Sequence, residues 1–208
     1  MTGQKTILLA TRNLAKEAKL RWLLDGLGYD VQTLGDRPEA VEPDEEGRTH
    51  RQVAAGKSLF WSKQTDGFAV ASDGGARIPA LGEGWNSLLT RRAAGADADD
   101  CARADHLLGL MRGRRGAERN VIWVEGVALA RSGELLASWE VAGILGRLVE
   151  TYDPRLIEGG FWMPGLIYVP RFGRVLAQLS RSELEEADHC WNELRRRLRA
   201  FLDGATRA

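Results

Sequence analysis

The sequence predicts a single domain of the α/β or α+β class, and three observations lead to this prediction. Short apolar runs typical of strands alternate along the chain with segments whose apolar residues recur every three or four positions, as in helices. The sequence contains neither an internal repeat nor a low-complexity tract. Its 208 residues suffice for one domain with a sizeable core, which we expect over residues 1–208.

The N-terminal part predicts a strand, a helix and a second strand. Residues 5–10, KTILLA, form a short apolar run typical of a buried strand. Leucines at helical spacing predict a helix over residues 14–27, and Gly28 is placed to end it. Residues 29–34, YDVQTL, alternate as a second strand does. This order is typical of a βαβ unit.

The central part continues the alternation after a polar, acidic loop over residues 35–47. Residues 49–64 are compatible with a helix, and a clearer helix is predicted over residues 99–111. Between them, residues 68–72, FAVAS, predict a strand. That strand leads into residues 73–75, DGG, where we expect the two glycines to let the backbone turn sharply.

The C-terminal part predicts a hairpin, further strands and a last helix. Residues 120–130 and 135–141 resemble two strands joined at Ser132 and Gly133. Residues 144–149 and 166–169 are further strand candidates. The last helix is predicted to begin near Ser182. Its arginine-rich side is expected to be a solvated face, and a nucleic-acid-binding patch is the alternative.

Composition and charge exclude several classes of protein. Lysine plus arginine and aspartate plus glutamate both number 29, and a net charge of zero argues against a dedicated duplex-binding protein. No stretch approaches the roughly 20 apolar residues of a membrane helix, and the N-terminus lacks a signal-peptide pattern. We therefore expect a cytoplasmic protein without a membrane partner. Cys101 and Cys190 belong to no metal-ligand motif, so neither zinc nor a disulfide is predicted.

The start of the first helix carries candidate phosphate ligands. Thr11, Asn13 and Lys16 follow the first strand directly. A helix N-terminus has unpaired N–H groups and a partial positive charge, both of which favour phosphate. The alternative is that Thr11 or Asn13 simply caps the helix.

Two carboxylates are candidate metal ligands. Glu45 lies in the acidic loop and Asp73 follows a strand, and two carboxylates from separate segments are a common way to hold Mg²⁺. Alternatively, Asp73 forms a turn and the acidic loop is merely exposed. Lys57, Thr90 and Arg92 could add contacts to phosphate or sugar, or be ordinary surface residues.

Taken together, these segments resemble the inosine triphosphate pyrophosphatase family. ILLATRNLAK is similar to the family's strand followed by Thr-x-Asn-x-x-Lys, and EEGRT at residues 45–49 to the stretch that holds its metal-binding glutamate. ASDGG at residues 71–75 is similar to Ala-Asp-Asp-Ser-Gly, which places Asp73 on the catalytic aspartate. LLTRRAAG at residues 88–95 is similar to the Ser-Ala-Arg segment.

The resemblance implies an α/β fold: a mixed, twisted sheet flanked by helices, with two lobes around a central cleft and a homodimeric assembly. It also implies Mg²⁺-dependent hydrolysis of a noncanonical purine nucleoside triphosphate to the monophosphate and pyrophosphate. Glu45 and Asp73 would hold the metal and act in catalysis. The substrate-binding residues would be Thr11, Asn13, Lys16, Lys57, Ser72, Gly74, Thr90, Arg92, Phe161, Trp162 and His189.

The chain departs from the family at the metal site and in the part that binds the base. Ser72 replaces the first aspartate of the pair and Gly74 replaces a serine. In the family's Ser-His-Arg segment only His189 is retained, because Asp188 and Cys190 replace its neighbours. Leu184 replaces the lysine of the same region, and the segment GGFWMPGLIYVP lacks the family's aspartate.

These departures leave the phosphate-binding half better preserved than the base-binding half. We expect a shared reaction with a changed base pocket, in which Phe161, Trp162 or Trp191 stacks on a ring, although these aromatic side chains could instead pack in the core. Two other functions remain open. The chain could be a nucleotide-binding or partner-binding homologue without catalysis, or a hydrolase for a pyrimidine or specialised-metabolite nucleotide.

Overall fold

The computed structural model describes residues 5–37, 39, 41, 43–157, 162–186 and 190–207. Within these ranges the chain forms strands and α-helices that alternate in its first half. In chain order they are β1 (Thr6–Leu9), α1 (Leu14–Leu24), β2 (Asp30–Thr33), α2 (His50–Ser62), β3 (Phe68–Arg77), α3 (Asp100–Leu110), β4 (Asn120–Arg131), β5 (Glu134–Leu148), β6 (Ile167–Val169), β7 (Arg174–Val175), α4 (Arg181–Glu186) and α5 (Cys190–Arg207).

The strands form one seven-stranded sheet in the order β2-β1-β3-β4-β5-β6-β7. β1 pairs in parallel with both β2 and β3, so that Leu9 lies opposite Thr33 on one side and Val70 on the other. β6 pairs antiparallel with β5 and with β7. The prediction of a mixed sheet flanked by helices is therefore confirmed.

The chain divides into two compact units, and the single domain over residues 1–208 stays a prediction. The first unit consists of Met1–Asp73, Glu125–Val141 and Trp191–Ala208. It contains the βαβ unit.

The core of the first unit lies between its strands and α2. Strands β1 and β3 bury small and aliphatic side chains against α2. The residues of this core are Leu8, Ala10, Leu34, Trp61, Ala69 and Ala71, with Phe60 packed against them.

The second unit consists of Gly74–Val124 and Ala142–Cys190. Arg119, which is 7% exposed, is a buried charged residue of this unit that hydrogen-bonds the backbone of several segments. Its guanidinium donates to the carbonyl oxygens of Met111 at 3.1 Å and Leu148 at 2.7 Å, and also to that of Val149. These hydrogen bonds from a buried guanidinium to carbonyl oxygens fix the end of α3 against the end of β5.

The hairpin prediction is confirmed, while the prediction for residues 73–75 is not. Ser132 and Gly133 have φ values of 52° and 80°, which is the backbone of the tight turn that joins β4 to β5. β3 continues through Gly74 and Gly75 to Arg77, so the predicted sharp turn is wrong.

The strand candidates at 135–141 and 144–149 form one strand, β5. The predicted last helix consists of two described helices, α4 and α5. Across the described ranges, the helices fall short of the combined length and apolar character that spanning a membrane requires.

Candidate active site

The residues that follow β1 are held by the start of α1. The Asn13 side chain is the N-cap, and its Oδ1 accepts hydrogen bonds from the backbone N–H groups of Ala15 at 2.9 Å and Lys16 at 3.2 Å. Thr11 Oγ1 accepts from the N–H of Asn13 at 3.2 Å. The contacts of both side chains are thus those of residues that cap the start of α1, as the alternative to phosphate binding states.

Asp73 lies at the centre of a cluster of charged side chains and is only 8% exposed. Its Oδ1 is 3.4 Å from Lys57 Nζ and 3.9 Å from Lys16 Nζ. Its Oδ2 is 2.6 Å from His50 Nδ1. Both carboxylate oxygens thus have cationic or N–H neighbours, which offset the cost of burying the charge.

The topology explains why these residues meet. β1 and β3 are parallel neighbours, so their carboxyl ends lie at the same edge of the sheet. Lys16, in the first turns of α1, follows the end of β1, and Asp73 lies three residues beyond the partner of Leu9 on β3. α2 precedes β3 in the chain, and β3 runs back along α2 towards the first residue of that helix. His50, which begins α2, therefore lies beside Asp73 in the second half of β3.

Lys57 joins the two predicted metal ligands. Its Nζ lies 2.5 Å from Glu45 Oε1 and 3.4 Å from Asp73 Oδ1. Burial alone would lower the pKa of Lys57, but the charges and hydrogen bonds of the two carboxylates raise it above its ordinary value of 10.5. Lys57 is therefore an ammonium ion at neutral pH, and it stands between Glu45 and Asp73.

The pKa of Asp73 is also shifted. Burial alone would raise the pKa, but the hydrogen bond with His50 and the charges of Lys16 and Lys57 together lower it below the ordinary 3.8. Asp73 is therefore ionised throughout the physiological range. A carboxylate with this pKa is a good ligand for cations and a poor acceptor of protons.

The donor set has the character that Mg²⁺ requires. Glu45 and Asp73 place one oxygen each against the same ammonium nitrogen, so the two carboxylates are close enough to share a cation. Mg²⁺ is commonly bound by one or two carboxylates while waters and substrate phosphates complete its shell. Within the described ranges, no group of three or more His, Cys, Asp or Glu side chains could form a metal site from protein ligands alone.

His50 is the member of the cluster that sequence reasoning missed. It is 1% exposed, and the sequence separates it from Asp73 by 23 positions without a metal-ligand or triad motif. The available signal was topological. A residue that begins the helix before a strand lies near the carboxyl end of that strand when the helix packs back along it.

The other predicted site residues have different surroundings. Ser72 is 2% exposed, and its Oγ makes no hydrogen bond with any residue that the structure describes. Gly74, Thr90, Arg92 and Trp162 belong to the second unit. Thr90 Oγ1 accepts from the N–H of Ala76 and donates to the carbonyl oxygen of Ser87. Its hydroxyl therefore already has two partners.

The predicted aromatic and histidine contacts are only partly described. Trp162 is 3% exposed, as the core-packing alternative requires. Arg92 is exposed. Phe161 and His189 lie outside the described residues.

Comparisons with known proteins agree on one family. A model of the Ham1 family matches residues 7–197. The dITP/XTP pyrophosphatase of Thermus thermophilus is 34% identical over 204 residues, covering 98% of this chain and 95% of the relative. That of Desulforamulus reducens is 30% identical over 185 residues, covering 88% and 89%. A solved HAM1 protein from Coxiella burnetii has the same fold, with a TM-score of 0.78, 23% identity and coverage of 95% and 100%.

Proposed function

We propose, from the premise that this chain belongs to the Ham1 family, that its charged cluster hydrolyses a nucleoside triphosphate to the monophosphate and pyrophosphate. The chain is a hydrolase of phosphoric anhydride bonds in nucleotides. The observation that carries the proposal is the convergence of Glu45 and Asp73 on the ammonium of Lys57, beside Lys16. Acids that can share a cation and lysines that can neutralise phosphates are the two parts that this hydrolysis needs.

The lysines would bind the polyphosphate. Lys16 follows the N-terminus of α1, where the helix dipole also favours an anion. Lys57 now contacts two carboxylates, and its flexible stem allows its ammonium to contact phosphate instead. Thr11 and Asn13 would hold the turn before α1 in place and present the helix N-terminus to the substrate.

Glu45 and Asp73 would hold the divalent cation, which we propose is Mg²⁺. When bound there it would polarise phosphoryl oxygens and neutralise the charge that develops on pyrophosphate as it leaves. Asp73 would also orient the attacking water by accepting a hydrogen bond from it. Because the pKa of Asp73 is lowered, we propose that Asp73 orients the water and does not retain the proton that the water loses.

The proposed substrates are noncanonical purine nucleoside triphosphates. Two relatives whose length the chain covers almost fully carry the name dITP/XTP pyrophosphatase. The base pocket of this chain is the part with the most replacements, among them Leu184 and Cys190. A pocket that hydrogen-bonds the polar edges of a base loses selectivity for that base when the hydrogen-bonding side chains are replaced. We therefore expect weaker discrimination among bases here.

The test is a panel of triphosphates incubated with the full chain and Mg²⁺, with pyrophosphate and orthophosphate measured separately. We expect pyrophosphate from dITP or XTP, and more than from dATP or dGTP. Asp73→Asn keeps the shape and removes the charge, and should lower kcat by about 100-fold or more. Asp66→Asn, the same change on an exposed side chain, is the matched control and should leave kcat unchanged.

Three results would contradict the proposal. Release of orthophosphate would place cleavage at a different bond. Full activity of Asp73→Asn would remove the cluster from the mechanism. Stabilisation by a triphosphate without turnover on any member of the panel would favour a nucleotide-binding homologue.

Homodimerisation and a cytoplasmic location are further parts of the proposal. Light scattering coupled to size-exclusion chromatography tests the first, with twice the 23.0 kDa chain mass as the expected result. Fluorescence microscopy of a tagged chain tests the second.

A further inference from the structure

His50 makes the shortest contact that Asp73 has with another side chain. Its Nδ1 is 2.6 Å from Asp73 Oδ2, while the two lysines are farther away and lie on the side of Oδ1. A carboxylate only accepts hydrogen bonds, so Nδ1 carries the proton and donates it. The two oxygens of Asp73 are therefore differentiated, with one directed at a buried ring and one at the cations.

The position of His50 is itself fixed from two sides. It is the first residue of α2, and the N-cap Thr49 accepts a hydrogen bond from the N–H of Gln52. On the other side β4 packs against the backbone of His50 at Gly126. A Cβ at Gly126 would lie 2.6 Å from the carbonyl carbon and oxygen of His50, so only glycine allows this approach. The ring is thus presented by a helix end that cannot shift freely.

The ring is too deeply buried to meet a substrate. His50 is 1% exposed, so a direct contact with a nucleotide would require the helix end to open. What the ring can do is restrict rotation of the Asp73 carboxylate about its terminal torsion, which is otherwise broad. Fixing Oδ2 leaves Oδ1 beside Lys16 and Lys57, where the charges of the site meet.

We propose that His50 is a positioning residue for Asp73: its Nδ1–H holds Oδ2 and keeps Oδ1 directed at the lysine pair. The inference rests on the proposed role of Asp73 in triphosphate hydrolysis. It adds a residue outside the family resemblance given above, in which α2 contributed only Lys57.

Two substitutions separate the hydrogen bond from the volume of the ring. His50→Asn keeps an N–H group near the position of Nδ1, whereas His50→Phe keeps a planar ring and lacks the donor. For His50→Phe we expect kcat to fall about 10- to 100-fold, as for other residues that orient a ligand-holding group, with KM changed less than threefold. His50→Asn should keep at least about a third of kcat. A merely structural role would lower Tm and kcat in parallel in both variants.

A second measurement does not depend on activity. A double-mutant cycle of Lys57→Met and Asp73→Asn gives the coupling free energy between the two side chains. The free energy of unfolding of each variant is measured by urea unfolding. The same cycle is then repeated in the His50→Phe and His50→Asn backgrounds. If His50 directs Oδ1 at the lysines, the coupling should fall by at least about half in His50→Phe and persist in His50→Asn. His50→Leu, which is smaller and also lacks the donor, replaces His50→Phe if that variant does not fold.

The two measurements distinguish the failure of this inference from failure of the proposed function. An unchanged Lys57–Asp73 coupling in the background without the donor would overturn the positioning role, whatever the enzyme hydrolyses. A reduced coupling in a chain that releases no pyrophosphate would support the positioning role and contradict the proposed hydrolysis. An active wild type whose kcat is the same in His50→Phe would also overturn the inference.

Discussion

Replacing Lys57 by methionine should destabilise the protein by about 3 kcal/mol, because two carboxylates would lose the cation that they share. The side chains of Lys57 and Asp73 are 14% and 11% exposed, so solvent can compensate little for the loss. Removing one partner of a buried ion pair costs roughly 3–5 kcal/mol. We take the lower end because Glu45 is 28% exposed and Asp73 keeps its contacts with His50 and Lys16. Methionine retains the apolar stem of lysine, so little packing is lost.

The measurement is urea unfolding at pH 7, followed by tryptophan fluorescence. With a slope of about 2.5 kcal/mol per M, the predicted loss moves the midpoint down by about 1 M. The matched control is Lys63→Met, at the exposed C-cap of the same helix, which should change stability by less than about 0.5 kcal/mol. If Lys57→Met shifted the midpoint no more than Lys63→Met, the ammonium would not be neutralising buried acids and our account of the cluster would be wrong.

Three further predictions concern the charged cluster and the start of α1, and a fourth concerns Thr90. Asp73→Asn should be less stable than the wild type at pH 7. The difference should vanish as pH falls below about 3.8 and through the folded pKa, because a lowered pKa stabilises the folded state only while the carboxyl is ionised; urea unfolding at several pH values measures this. Asn13→Ala should cost about 1 kcal/mol through loss of the cap, whereas Asn13→Asp should retain stability but lower affinity for triphosphate by placing a negative charge there. Mg²⁺ should raise the Tm of Lys57→Met more than that of the wild type, because no ammonium competes for the carboxylates; equal shifts would argue against a shared cation site. Thr90→Val should cost about 1–3 kcal/mol, since it leaves a buried N–H without its acceptor, and calorimetric melting would show the loss.

Local patterns in the sequence were enough to predict most of the first half of the fold. The strand at residues 5–10 and the leucine spacing after it predict β1 and α1 because apolar periodicity reports which face of an element is buried. The glycines after Asp73 were misleading for a related reason. Glycine favours turns in isolation, but a neighbouring strand can hold it extended, and that neighbour is not visible locally.

The candidate site was predictable only where one segment carried its own signal. Asn13 before a helical run predicts a cap, and the structure has this cap. The contact of His50 with Asp73 depends instead on α2 folding back along β3 and on Gly126 admitting the helix end. Such a contact joins segments far apart in sequence, so no spacing rule for residues within one segment reports it.

If the proposed function holds, the charges of the cluster favour binding of the cation and the phosphates together. Lys16 and Lys57 balance Glu45 and Asp73 in the structure, so the four side chains are neutral as a set. Phosphates that attract the lysines would leave the carboxylates with uncompensated charge, and those carboxylates would then attract a divalent cation more strongly. By reciprocity, a cation on the carboxylates would free the lysines for phosphate to the same extent. These ion pairs are therefore the physical basis on which we expect Mg²⁺ and triphosphate each to raise the affinity for the other.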